Sequence, residues 1–206
     1  MNAKVVRRPE NLKENRKLLS PPVIEQPLYQ CASSVTVTSY QPNATIDVDV
    51  SGTLASAPGA FPFPNGVTVP LPAPLVAGQT VRARQKVAGK TSQWTPTITV
   101  TDHTKDYPAG PSRPEINPSP VYKCGVRTGV GNLLPGGHVW ITADGTKVGD
   151  VNGCAAQQGV NVSPAYGLGQ HVSANFELCH DQSPPSAEQI TQNPPNPLPA
   201  PTVDAA

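Results

Sequence analysis

From residue 34 to residue 100 the chain sets apolar positions against polar ones with a period of two, in short runs broken by glycine, proline and asparagine. Ser34-Val35-Thr36-Val37-Thr38 is one run, and Gln41-Pro42-Asn43 marks the turn after it. Thr45-Ile46-Asp47-Val48-Asp49-Val50 is the next, and it ends at Ser51-Gly52. A strand turns successive side chains to opposite faces, so Ile46, Val48 and Val50 share one face and Thr45, Asp47 and Asp49 the other. Gly66-Val67-Thr68-Val69 predicts a further strand. It runs into Pro70, Pro72 and Pro74, which cannot donate to a central ladder. Thr80 to Gln85 is a strand, Ala88-Gly89 a turn, and Trp94 to Val100 a closing strand.

The same layout is written twice. Pro27-Leu28-Tyr29-Gln30-Cys31 matches Pro120-Val121-Tyr122-Lys123-Cys124, and Ser51-Gly52-Thr53 matches Asp144-Gly145-Thr146. Gly66-Val67-Thr68-Val69 matches Gly159-Val160-Asn161-Val162, and Gly78-Gln79-Thr80-Val81-Arg82-Ala83 matches Gly169-Gln170-His171-Val172-Ser173-Ala174. The blocks keep one order and one spacing apart from a small slip, which identifies two copies of one fold. In the second copy the expected strands are His138 to Thr142, Gly159 to Val162 and Gln170 to Leu178. About seven short strands per copy, with turn signals every 8–12 residues or so, predict an all-β chain of two tandem immunoglobulin-like β-sandwich modules. Trp140 and Trp94 are the expected large core residues, each able to bury roughly 150–250 Å².

Composition and charge refine this picture at the two ends. Residues 1–20 carry Lys4, Arg7, Arg8, Lys13, Arg16 and Lys17 against Glu10 and Glu14, a basic arm on a chain whose overall net charge is only +1. No stripe of aromatics and bases accompanies the arm, so nucleic acid is not an expected partner. No apolar run is long enough for a membrane span, and no apolar stretch follows the N-terminal charges as in a signal peptide. The 26 prolines concentrate in the joins and the end of the chain, where polyproline geometry gives semi-rigid connections. The expected organisation is a basic arm 1–20, a first module 21–101, a linker 102–113, a second module 114–182 and an unpacked Pro-rich tail 183–206. Ala200 to Asp204 is similar to the lead into each module, so the tail also reads as the start of a third.

Three stretches carry a resemblance to a known family. Pro42-Asn43-Ala44-Thr45-Ile46-Asp47-Val48, then Val69-Pro70-Leu71-Pro72-Ala73-Pro74-Leu75-Val76-Ala77-Gly78-Gln79-Thr80-Val81, then Ala88-Gly89-Lys90-Thr91-Ser92 resemble the tandem bacterial Ig-like repeats of surface proteins and adhesins. The resemblance implies stalks, spacers or adhesive tips, without catalytic residues. It implies a cell-surface or extracellular setting; part of an assembled particle is the other setting considered.

Candidate chemistry is sparse. Cys154 precedes one strand and Cys179 ends another at the same end of a sandwich, so a Cys154–Cys179 disulfide is expected. It would close a loop of about 24 residues and contribute roughly 3 kcal/mol. Cys31 and Cys124 hold equivalent places in successive modules and are expected free or intermolecular; free buried thiols are the alternative. Cys154, Cys179 and His180 lack the paired spacing of a zinc site, and Asp102 with Asp106 offers too few oxygens for calcium. His103, His138, His171 and His180 are scattered, and no G-x-S-x-G, GxGxxG, P-loop or HExxH sequence occurs. The expectation is a non-catalytic protein without cofactor, metal or small-molecule substrate. Phe61 and Phe63, in a loop bounded by prolines, are the candidate contact residues for a protein partner or a glycan. The function read from these features is a structural or adhesive segment contacting other protein subunits or surface glycans. The alternatives are a carbohydrate-binding tip module and an assembly or decoration subunit of a phage-like or injection particle, docking through arm 1–20.

Overall fold

The computed structural model describes residues 19–59 and 66–195. The first module has eight strands: β1 (Val23–Ile24), β2 (Ser34–Thr38), β3 (Thr45–Val50), β4 (Thr53–Pro58), β5 (Val67–Pro70), β6 (Thr80–Val87), β7 (Lys90–Thr91) and β8 (Ile98–Thr99). One sheet runs β1-β2-β5 and the other β4-β3-β6-β7, with β8 also on β6. The second module repeats this with β9 (Glu115–Ile116), β10 (Arg127–Gly131), β11 (His138–Ala143), β12 (Thr146–Asn152), β13 (Gln158–Asn161), β14 (His171–Leu178), β15 (Asp181–Gln182) and β16 (Gln189–Ile190). Its sheets are β9-β10-β13 and β12-β11-β14-β15, with β16 on β14. Each module is an immunoglobulin-like sandwich of antiparallel sheets, the same fold built twice.

The period-two pattern makes the cores. Val35, Val37 and Val69 from one sheet meet Ile46, Val48, Val81 and Ala83 from the other, all buried. In the second module Val130 and Val160 meet Val139, Ile141, Val172, Ala174 and Phe176. Burying such aliphatic and aromatic side chains stabilises each module by about 1.5–3 kcal/mol apiece. β-Branched residues dominate because their stiff side chains lose little freedom on a pleated surface.

The tryptophans are not in these cores. Trp94 and Trp140 are half-buried. Trp94 lies on the outer face of the β3–β6 sheet, with the Arg82 and Arg84 guanidinium carbons 4.7 and 4.4 Å from its ring centroid. Trp140 alternates out of phase with buried Val139 and Ile141 and stacks against His138 at 5.1 Å. The cation–π attraction and the polar rows beside the rings favour the outer faces, while Phe176, Tyr29, Tyr40 and Tyr166 supply the large buried rings. The outer face of β3 is also drier than alternation predicts. Asp47 is buried beneath its partners: Arg84 Nε donates to Oδ2 at 2.9 Å, Lys86 Nζ lies 2.7 Å from the same oxygen, and Ser56 Oγ donates to Oδ1 at 2.9 Å. Burial pushes the Asp47 carboxyl up, but the hydrogen bonds from Lys86, Arg84 and Ser56 outweigh it and hold it below the usual carboxylate range.

The closing edge of each module departs from a simple strand. Between β7 and β8 the ladder is kept by side-chain hydroxyls: Gln85 N donates to Ser92 Oγ at 3.1 Å and Ala83 N to Thr95 Oγ1 at 2.9 Å. Ser186 does the same for Ala174 N at 2.8 Å in the second module. This corrects the expected tail. Residues 183–192 complete the second module, with Gln189–Ile190 paired to β14 and Thr191 buried. Prolines 184 and 185 cannot donate to the ladder, and Ser186 Oγ beside them accepts from Ala174 N. The basic arm to residue 18, the Phe61–Phe63 loop and the third-copy lead at 200–204 lie outside the described residues.

Candidate functional site

The two sandwiches meet end to end. The lower end of the first module is its β1–β2 corner (29–33) and β5–β6 connection; the upper end of the second is its β10–β11 loop (132–137), β12–β13 loop (153–157) and β14–β15 turn (179–180). Across this joint Ser33 N donates to Gly136 O at 3.1 Å, and Ser34 Oγ donates to Gly153 O at 2.8 Å. The loops come this close because both carbonyls belong to glycines with left-handed backbone, φ 88° at Gly136 and 67° at Gly153. A Cβ at Gly136 would strike Ala32, and one at Gly153 would strike Ser34.

A disulfide closes the joint. Cys31 in the β1–β2 corner bonds Cys179 in the β14–β15 turn, with Cα atoms 5.2 Å apart and a sequence separation of 148. This overturns the expected Cys154–Cys179 pair. Cys154 and Cys179 do lie at the same end of the sandwich, but they face opposite ways. Cys154 is buried in the second core, its Sγ toward Leu134 O at 3.7 Å, and burial pushes its thiol up to about 12. Cys179 occupies the first position of a tight turn with φ 55° and faces the first module. Cys31 is accordingly bonded, and Cys124 and Cys154 are the free thiols, Cys124 exposed. A groove of about 300 Å³ lined by Pro74, His138, Glu177 and His180 runs beside the bridge and leaves Cys31 open to solvent.

The expected linker 102–113 is built into the same joint. Asp102 caps a 3-10 turn at His103–Lys105, accepting from Thr104 N at 3.0 Å. The turn buries His103, whose Nε2 pairs with Asp181 Oδ2 at 2.9 Å beside the Cys179 turn. Gln30 Nε2 donates to Asp102 Oδ1 at 2.9 Å, and Tyr29 Oη donates to Asp106 Oδ2 at 2.9 Å. The Tyr29 ring packs edge-on to Tyr107 at 6.1 Å and His103 at 6.4 Å, and it belongs to the second module's core cluster. Burial, then Asp106, raises the Tyr29 phenol, which keeps it a donor across ordinary pH.

The remaining histidines are each engaged locally with one carboxylate: His138 with Asp150, His171 with Glu188 and His180 with Glu177. His138 and His180 border the groove beside the bridge, and His171 stands apart from them. Among the described residues no group of three or more His, Cys, Asp or Glu is placed to hold a metal ion, and no helix is long and apolar enough to cross a membrane.

No family model and no curated protein matches the chain. Solved structures match at low similarity. A biofilm-associated protein BSP domain is 18% identical over 87% of this chain at a TM-score of 0.38, and this chain spans 30% of that one. Fibronectin(III)-like modules of Clostridium thermocellum CbhA are 13% identical, covering 84% of this chain and 94% of theirs at a TM-score of 0.28. A two-domain fibronectin type-III segment of chicken tenascin is 12% identical, covering 84% and 98% at 0.26. At these scores the likenesses carry no conclusion about what the chain does.

Proposed function

We propose that this chain is a non-catalytic structural segment, a two-module spacer whose joint is covalently set and whose surfaces contact other proteins or glycans. The Cys31–Cys179 bridge carries the reading. A disulfide that ties neither core internally, but one module's end to the next module's turn, fixes orientation between modules. The Tyr29–Asp106 and His103–Asp181 pairs, each joining a buried ring to an exposed carboxylate, serve the same end. Disulfides persist in oxidising surroundings, which favours an extracellular or cell-surface setting. The carbohydrate-binding tip and particle-docking alternatives rest on Phe61, Phe63 and arm 1–20, which apart from residues 19 and 20 lie outside the described residues, and no feature of the joint favours them.

Small-angle scattering of the full chain tests the spacer reading. The oxidised chain is expected to fit one inter-module arrangement, and the chain reduced with a phosphine to need a spread of arrangements. An oxidised chain as variable as the reduced one would remove the proposal.

A further inference from the structure

The corner that forms the first module's half of the joint is present a second time at the lower end of the second module. Cys124 repeats Cys31 bond for bond. Cys31 N donates to Leu75 O at 2.7 Å and Cys124 N to Tyr166 O at 2.8 Å. Gln30 N donates to Thr101 O and Lys123 N to Gln192 O, both at 2.9 Å; Leu71 N donates to Ser33 O and Val162 N to Val126 O, both at 2.9 Å. The two cysteines share a left-handed backbone, φ 62° and 63°. The corner that aims Cys31 at a cysteine therefore aims Cys124 in the same sense.

The surroundings are more exposed than those of Cys31. Tyr29 is 2% exposed within the joint, whereas its counterpart Tyr122 is 38% exposed, and Val126 next to the free thiol is 62% exposed. Tyr122 thus bares the ring position that the first module buries at Tyr29, while Val126 adds an exposed apolar side chain where the first module has Ser33. One counterpart departs: Arg127 stands where Ser34 donates to Gly153 O. Its guanidinium lies back over Gly159, so it leaves the end of the corner clear.

The bonded partner of Cys31 also defines what Cys124 would take. Cys179 is the first residue of the two-residue β14–β15 turn, Cys179–His180 with φ 55° and 70°. The matching β6–β7 turn of the first module is Ala88–Gly89, with φ 48° and 74° and no thiol. A second copy of this chain cannot supply the partner: its first module lacks the cysteine, and the cysteine of its second is already bonded to Cys31.

We infer that the lower end of the second module is a docking site for the upper end of a further module of this fold, one with a cysteine at the turn position of Cys179, and that Cys124 forms the disulfide there. The inference rests on the spacer reading and extends it to a directional, repeatable covalent joint. In the bond-forming step Cys124 and the partner cysteine each lose a thiol proton and one electron. A low-molecular-weight disulfide such as glutathione disulfide accepts both electrons and both protons and leaves as two thiols.

The test lengthens the full chain by inserting a second copy of residues 102–192 after Gln192, so that a module with the required turn follows Cys124. The chain is oxidised with glutathione disulfide, its free thiols are alkylated, and it is digested without reduction for mass spectrometry. The expected result is a peptide joining Cys124 to the inserted copy's equivalent of Cys179, with loss of alkylation at Cys124 and retention of Cys31–Cys179. In a Cys124→Ser form of the lengthened chain, the inserted turn cysteine should become alkylated. Cys31–Cys179 intact with Cys124 alkylated, carrying glutathione, or bonded to Cys124 of another chain overturns this inference and leaves the spacer reading standing. Absence of Cys31–Cys179 overturns both.

Discussion

Replacing Cys31 and Cys179 together by serine should unlock the joint while both cores stay folded, and the size of the effect follows from what the bond encloses. Thr101 N donates to Leu28 O and the lower corner of the first module is held against it, so the first module ends beside Cys31. The second module begins at β9. With both modules folded, the ring closed by the bridge is thus set by the connection from Thr101 to Glu115, roughly 15 residues, worth about 3 kcal/mol of closure entropy. That is an upper figure, because the His103–Asp181 pair and the buried Tyr29 already restrain the connection.

The amide of Ser33 reports on this opening directly, because its acceptor, Gly136 O, belongs to the other module. Native-state hydrogen exchange of the serine variant should show Ser33 losing up to about 150-fold in protection, the equivalent of about 3 kcal/mol. Its exchange should also become nearly insensitive to denaturant, since opening the joint exposes little surface. The amide of Val48, in the middle of β3, should weaken too, because the bond also closes a loop in the unfolded chain, but it should keep its steep denaturant dependence. If Ser33 continues to track Val48 in both rate and denaturant slope, the joint does not open as a unit and the reasoning fails.

Gly136→Ala should loosen the joint by about 1–3 kcal/mol, because a Cβ there meets Ala32 and the left-handed backbone disfavours it; faster Ser33 exchange with an unchanged midpoint for unfolding of the cores is the expected pattern. Asp47→Asn should cost the first module about 2 kcal/mol near neutral pH, the scale of charged hydrogen bonds lost to Arg84 and Lys86. The Asp47 carboxyl titrates lower folded than unfolded, so its stabilisation is full above its unfolded value and is lost as pH falls through its folded one. Urea unfolding from pH 7 down to pH 2 should accordingly show the gap between parent and variant narrowing in acid; a gap undiminished at pH 2 contradicts the ion-pair account.

What can be read from the residues is what a period of two encodes. Strands β2 and β3 follow from the β-branched alternation of Val35, Val37, Ile46 and Val48, and the Ala88–Gly89 turn from its glycine. Strand β4 escapes the same reading because its inward residues are Ala55 and Ala57, while Leu54 points to water. Strand β10, Arg127-Thr128-Gly129-Val130-Gly131, has one large aliphatic among glycines. The tryptophans mislead because size suggests burial, whereas Arg82 and Arg84 on the neighbouring strand offer Trp94 an electrostatic reason to stay outside. The Cys31–Cys179 pair depends on how one module abuts the next, which alternation within a strand does not encode. A trace of it exists in the repeat: Cys31 has a counterpart in Cys124, while Cys179 replaces an alanine at the turn, so the bonded pair has no equivalent pair inside either module.

The bridge has a mechanical meaning. Tension applied to the two ends of the described chain runs along β1 to Cys31, crosses the sulfur–sulfur bond to Cys179, and leaves through β15 and β16. The 148-residue separation between the two sulfurs lies off that path, so roughly 500 Å of extensible chain stays stowed while the bond holds. Under load the molecule would behave as a short, stiff link, and a reductant reaching the exposed Cys31 would turn that link into a long tether.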